Sequence, residues 1–208
     1  MRFISALRIF AFCALIATPA FAADETLIQP SVNQAAPDFT VTDTKGFTHM
    51  LSSYKGKIVV LEWTNADCPY VKKHYDSGNM QSTQKLAASV GAVWLRVISS
   101  APGKQGHVSI EGANRIAGEH GVVASGTILD ETGELGRLYG AKTTPTIAVI
   151  NQTGILSYLG AIDDKPTSDP ADIKDAKNYV KAVLEDLTAY RGLTVPSTTQ
   201  AYGCGVKY

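Results

Sequence analysis

The sequence predicts an α/β fold, a mixed sheet with helices on both faces. Three observations predict it. Ile58-Val59-Val60-Leu61 is the near-continuous apolar run of a strand covered on both faces. Strand-type and helix-type patterns then alternate to about residue 150, which implies right-handed crossovers and parallel pairing. Last, a hairpin signal at Asn151 to Gly154 adds antiparallel strands to the same sheet.

The elements follow in order. Pro37 to Val41 alternates as a short strand, Lys45-Gly46 turns, and Phe47 to Leu51 returns, making a small N-terminal hairpin. The central strand runs from Ile58 to Trp63, followed by a polar loop from Thr64 to Asp67. A long helix is predicted from Cys68 to about Ser89, with Gly78 marking a kink or break. Ala92 to Ser99 is a second buried-type strand, and Ser100 to Gly106 a loop. Ile110 to His120 is helical, stopped by Gly121. Thr127 to Asp130 is a third strand, Glu134 to Tyr139 a helical turn or two, Thr146 to Ile150 a fourth strand and Ile155 to Gly160 a fifth. A long helix is predicted over Asp169 to Ala189, with Ile173, Ala176, Val180, Val183, Leu184 and Leu187 on one face. Gly192 to Tyr208 is a tail rich in Ser, Thr and Gly, flexible enough to reach many places.

The first residues read as a signal peptide rather than fold. Arg2 and Arg8 form the basic region, Ile9 to Ala17 the apolar region, and Ala20-Phe21-Ala22 a small-x-small cleavage site, so residues 1–22 would be removed. The apolar run is too short to span a bilayer, and no other run qualifies, so no membrane span is expected after cleavage. The expected location is the periplasm or another exported compartment. The full chain is 45% hydrophobic and has no net formal charge, and what remains after the leader suits one domain with a full core. Zero net charge offers no argument for nucleic acid or membrane-surface partners. Of three cysteines, Cys13 leaves with the leader, and Cys68 and Cys204 remain. An even pair in an exported protein is a candidate disulfide.

Cys68-Pro69 carries the chemistry. Pro69 fits the first helical position, where a missing N–H costs little. Cys68 then sits beside unpaired backbone N–H groups at the positive end of the helix dipole, and both favour thiolate over thiol. The bland alternative is a buried, inert cysteine. Thr144-Pro145 stands immediately before a strand, where a proline belongs; a cis bond there would present backbone to a ligand. Glu62 follows four apolar residues, so it is expected to be at least partly buried and able to exchange protons; otherwise it is a carboxylate at a strand edge. Lys72 and Lys73 in the first turns of the helix either steady the thiolate or, as is more common for such a pair, form a solvated face. Cys204 either resolves Cys68 or anchors the tail.

These residues together resemble the thioredoxin fold. The acid Glu62 stands six residues before a Cys-Pro helix start, and a Thr-Pro precedes a hairpin. The Pro37-Asp38-Phe39 opening, the N-terminal hairpin and the insertion from Ser99 to Gly126 are similar to the redoxin branch, which holds periplasmic thiol–disulfide proteins and peroxiredoxins. The resemblance spans residues 35 to 190 and leaves residues 191–208 as the tail. It implies a three-layer α/β/α sandwich with a mixed central sheet. It also implies that Cys68 is the nucleophile, Glu62 the proton-relaying acid, and Thr144, Pro145, Pro69 and Thr64 the substrate-binding surround. Two departures matter. The position of a second motif cysteine is Val71, which leaves Cys204 or an external thiol to resolve. Thr64 stands four residues before Cys68 rather than three, and no proline lies between Gly56 and Cys68, unlike peroxiredoxins. The Thr-Thr-Pro loop therefore leans toward a thiol–disulfide reaction, with a disulfide protein or a small peroxide as substrate and an external thiol as reductant. No cofactor is implied. The non-catalytic alternative is a binding module for a partner or for copper, with Cys68–Cys204 as a permanent staple; for copper, His49, His74, His107 and His120 show no ligand spacing.

Overall fold

The computed structural model describes residues 30–208; the leader expected at residues 1–22 lies outside them. The core is a five-stranded sheet in the order β5-β4-β3-β7-β8. Its central strand β3 (Val59–Trp63) is buried along its whole length, as its apolar run predicts. β4 (Val93–Ile98) pairs parallel to β3, and β5 (Gly126–Leu129) parallel to β4. β7 (Thr146–Ile150) runs antiparallel to β3, and β8 (Leu156–Gly160) antiparallel to β7. The mixed sheet is therefore as predicted. β1 (Thr40–Thr42) and β2 (Thr48–Met50) form the predicted N-terminal hairpin as a separate two-stranded sheet.

Strand alternation sorts the two cores. Ile58, Val60, Trp94, Ile147 and Val149 pack with Val71, Tyr75, Met80, Val180, Val183 and Leu184. These last six come from α1 (Pro69–Asp76), α2 (Asn79–Ser89) and α5 (Tyr179–Thr188). Val59, Leu61, Trp63, Leu95 and Val97 face the other way, against Phe39, Leu51, Leu135 and Tyr139. Leu135 belongs to α4 (Glu134–Leu138); α3 (Ile110–Glu119) contacts β5. The result is the three-layer sandwich.

One helix breaks where the sequence predicts, and another differs from its predicted extent. The first divides at Gly78, whose φ of 73° interrupts the helix between α1 and α2. The last does not run from Asp169 to Ala189. Asp169 caps a 3-10 turn over Pro170–Asp175, the chain extends at Ala176, and α5 begins after Asn178, whose side chain accepts from Lys181 N–H. Two strong caps nine residues apart start two helices rather than one. Ile173 and Ala176, predicted on the buried face, lie outside the core and only partly covered.

The tail is not loose. Leu159 N–H donates to Ser197 O and Thr199 N–H to Leu159 O, and Tyr158 hydrogen-bonds Thr199. Beyond that, a short sheet forms between β6 (Thr143–Thr144) and β9 (Cys204–Gly205). Among the described residues, no helix is long and apolar enough to cross a membrane.

Candidate active site

The loop after β3 is built to deliver Cys68. Asn65 Oδ1 accepts the Asp67 N–H at 2.9 Å, and Asn65 O accepts the Cys68 N–H at 3.0 Å. This Asn-centred turn sends Cys68 into extended backbone (φ −80°, ψ 123°) as the residue that caps α1, with Pro69 inside its first turn. Cys68 O accepts from the N–H groups of Val71 and Lys72, so the helix starts on it. The side chain is fully buried.

It packs in the core cluster with Val71, Tyr75 and Ile147, and the tail packs against it. Cys68 and Cys204 are joined as a disulfide across 136 residues, with their Cα atoms 5.9 Å apart. β9 lies antiparallel to β6, Cys204 opposite Thr144 and Gly205 opposite Thr143. The Thr144–Pro145 peptide is cis. Thr144 O is 3.3 Å from Cys68 Sγ, and the Cys204 N–H donates to the same sulfur at 3.3 Å. Cys68, Cys204, Thr144 and Pro145 thus converge on one point. Gly203 makes the approach possible. Its φ is 135°, and a Cβ there would overlap Thr144 O.

Two tyrosines seat the tail on either side of this point. Tyr208 OH donates to Ala141 O at 2.9 Å, its ring lies beneath the Arg137 guanidinium, and a Cβ at Gly133 would occupy its place. Tyr202 OH donates to Asp163 Oδ1, and its ring meets Tyr70 edge-on. Asp163 also faces Lys73 Nζ at 3.6 Å, and Lys73 donates to Lys165 O at 2.6 Å. Both side chains of that pair are fully buried. Lys73 is therefore not part of a solvated face, although Lys72 is exposed. Its partner stands 90 residues away in sequence, beyond the reach of a local pattern.

His74 completes the seat. Lys181 N–H fixes Asn178 Oδ1, so Asn178 Nδ2 donates to Asn79 Oδ1 and leaves Asn79 Nδ2 to donate to His74 Nδ1 at 2.9 Å. Nδ1 is an acceptor, and the proton belongs on Nε2, which faces Tyr202 OH. Burial pushes the His74 pKa down to about 4, with Asp163 opposing and Lys73 assisting. An unfolded histidine titrates near 6.5. Between those values the unfolded chain binds a proton that the folded chain does not, so stability falls with pH from about 6.5 to 4 and levels below. The whole effect is roughly 3 kcal/mol. Denaturant unfolding at pH 7 and pH 4.5 should show that loss in the wild type and a much smaller one in His74→Gln.

Glu62 is wholly buried. Its carboxylate accepts from Tyr75 OH at 2.7 Å, Gln84 Nε2 at 3.0 Å and Trp94 Nε1 at 2.8 Å, with Arg96 Nε 4.0 Å away. Neither cysteine is among its hydrogen-bond partners. It lies on the sheet face that carries Cys68, in register with Arg96 of β4. Thr64 is buried, with its N–H on Val97 O. Its hydroxyl has no hydrogen-bond partner among the described residues. Pro69 is exposed and Pro145 buried. Cys68 and the Thr144-Pro145 loop come together with Cys204; Glu62 and Thr64 do not join them by a hydrogen bond.

Sequence reasoning did not single out Asn65, Tyr202, Asp163 or Gly203. Asn65 carried a signal, an Asx residue opening a loop three residues before a helix cap. Tyr202 and Gly203 lie within the Tyr-Gly-Cys-Gly stretch, but nothing local reveals their partners.

The redoxin family model matches residues 31–180. The chain is 38% identical over 74 residues to the thiol-disulfide oxidoreductase ResA of Geobacillus kaustophilus, a match covering 32% of this chain and 42% of that protein. It is 26% identical over 131 residues to ResA of Geobacillus thermodenitrificans, covering 60% of this chain and 66% of that protein. The chain thus spans less than two thirds of these curated relatives. A crystal structure of an uncharacterized conserved protein from Geobacillus kaustophilus superposes with a TM-score of 0.68 at 22% identity, over 86% of this chain and 92% of that one. That likeness speaks for the fold. With a family match over most of its length and the thioredoxin-like sandwich beneath it, the chain belongs to the redoxin family.

Proposed function

We propose that this chain is an exported thiol–disulfide oxidoreductase. One observation carries the reading: Cys68 caps α1 beside the cis Thr144–Pro145 loop and is already paired with a second cysteine. In the reduced form, the Cys68 thiolate attacks one sulfur of a substrate disulfide held at the Pro145 loop. A Cys68–substrate bond forms, the substrate disulfide breaks, and the departing sulfur leaves as a thiolate. The Cys204 thiolate then attacks Cys68 Sγ, closes the Cys68–Cys204 bond and releases the second substrate thiolate. An external thiol restores the pair. Cys68 draws its nucleophilicity from the α1 N-terminus. Thr144 and Pro145 hold the substrate, Pro69 and Thr64 bound the approach, and Glu62 handles protons. The ResA relatives favour this reading over peroxide reduction, in which Cys68 would become a sulfenic acid. Export fits both the leader sequence and a persistent disulfide.

The burial of Cys68 under β9 also supports a second reading, a binding module in which the disulfide is a permanent staple. Thiol counting by mass spectrometry separates them. As an oxidoreductase, the purified chain shows no free thiol, two after mild reduction, and none again after a disulfide donor is added. A bridge that resists mild reduction, or two free thiols that a disulfide donor leaves untouched, rejects the enzyme. Re-closure with peroxide but not with a disulfide donor would move the substrate to peroxides.

A further inference from the structure

The two sulfurs of the bridge are not equivalent. Cys68 is fully buried and packs in the core cluster with Val71, Tyr75 and Ile147. Cys204 is partly exposed, and its neighbours Gly203 and Gly205 have no side chains to shield it; Gly205 is itself exposed. A thiolate displaces a sulfur by attacking the other one from the side opposite the bond that breaks. Cys68 has no exposed surface for that approach, whereas Cys204 keeps some.

Leaving ability favours the same direction. A disulfide opens faster when the departing sulfur is the better thiolate. Cys68 departs into the N-terminus of α1, an eight-residue helix. The Cys204 N–H already points at Cys68 Sγ, 3.3 Å away. That donor stays in place during the reaction, because the tail is held independently of the bridge. Tyr202 is fixed on Asp163 upstream. Downstream, Ala101 N–H holds Lys207 O at 2.7 Å, and Tyr208 holds Ala141 O. Opening the bridge thus requires no release of the tail.

We propose that Cys204, not Cys68, is the sulfur through which the external thiol enters. The proposal rests on the pair being a working redox couple. A donor thiolate attacks Cys204 Sγ, a donor–Cys204 bond forms, the Cys68–Cys204 bond breaks, and its electron pair goes to Cys68 Sγ. The donor's second thiolate then attacks the donor sulfur bound to Cys204. The donor leaves as a disulfide, Cys204 leaves as a thiolate that takes a proton from solvent, and the protein has gained two electrons. The two half-reactions then use opposite ends of the pair. The reductant meets Cys204 with the tail in place, substrate meets Cys68 once β9, freed of the bridge, lifts from Thr143-Thr144, and the oxidised protein hides its nucleophile from thiols other than its own.

The test uses the full oxidised chain and glutathione as the probe thiol. Samples are quenched with acid at short times, alkylated and mapped by mass spectrometry, and the adduct ratio is extrapolated to zero time so that later transfer between sulfurs does not count. The expected result is glutathione on Cys204 and the alkylating agent on Cys68, in excess over the reverse by roughly tenfold or more, as access and leaving ability act together. Glutathione mainly on Cys68, or equally on both, overturns the entry assignment while leaving the redox couple standing. A bridge that neither glutathione nor dithiothreitol opens overturns the assignment and the oxidoreductase reading together.

Discussion

Cys68→Ser is expected to reduce disulfide exchange to background. A serine hydroxyl at a helix start is no substitute for a thiolate, and the Glu62 carboxylate on that sheet face is tied up by Tyr75, Gln84 and Trp94. Cys204→Ser should behave differently. The first attack still occurs, and with no resolving sulfur the substrate stays bound to Cys68 as a mixed disulfide, close to one per chain. Both variants lose a bridge that closes a long loop, so both should be destabilised by about 2–5 kcal/mol. Activity is therefore compared at a temperature where both remain folded. The shared stability loss isolates the chemistry, because only the adduct distinguishes them. Multiple-turnover activity in Cys68→Ser would remove the nucleophile from the account. Normal turnover in Cys204→Ser, with no adduct, would reduce Cys204 to an anchor.

Glu62→Gln should cost about 3–5 kcal/mol, the range for removing one partner of a buried ion pair. Arg96 is almost wholly buried, Glu62 is the acid beside it, and its Nε and Nη1 find no hydrogen-bond partner among the described residues. The guanidinium leans on the Tyr75 ring, 5.5 Å from its centre, which offsets only part of the charge. Both Glu62 oxygens accept from donors, so the glutamine NH₂ also meets a donor where an acceptor stood. Adding Arg96→Met should return the charge part of the loss, since a buried pair can be replaced by apolar volume at little cost. Denaturant melts of the single and double variants check the energies. The double variant also tests the role given to Glu62. Exchange activity that stays low once stability has returned supports proton handling by Glu62; full recovery makes Glu62 a counter-ion of Arg96 and nothing more.

The parts of the fold that could be read early are those whose cause is local. β3 announces itself because a strand buried on both faces needs an unbroken apolar run, and Ile58 to Leu61 supplies one. Cys68 as a helix cap follows from Pro69 beside it, and the division at Gly78 from a residue that weakens helix interiors. The α5 region misled because Ile173, Ala176 and Val180 hold helical spacing, while the caps at Asp169 and Asn178 impose two starts. Lys73 misled for another reason. Its burial is decided by Asp163 and by a tail tyrosine, none of them near it in sequence. The tail was the least legible segment. A two-residue strand at Cys204-Gly205 has no periodicity, and its pairing with Thr143-Thr144 exists only once the sandwich has folded. Candidate chemistry at Cys68 and a possible pairing with Cys204 were therefore visible, whereas the strand pairing that seats Cys204 against Thr144 was not.

The central claim is that Cys68 and Cys204 form a working redox couple, and the reduction potential of the pair tests it most directly. It is measured by equilibrating the chain in glutathione and dithiothreitol buffers of graded ratio and counting thiols after an acid quench. A couple that exchanges with substrates should sit above about −300 mV, where thiol donors can reduce it. A value well below that mark would contradict the account, because a bridge so resistant to reduction is a staple that holds the tail to the domain.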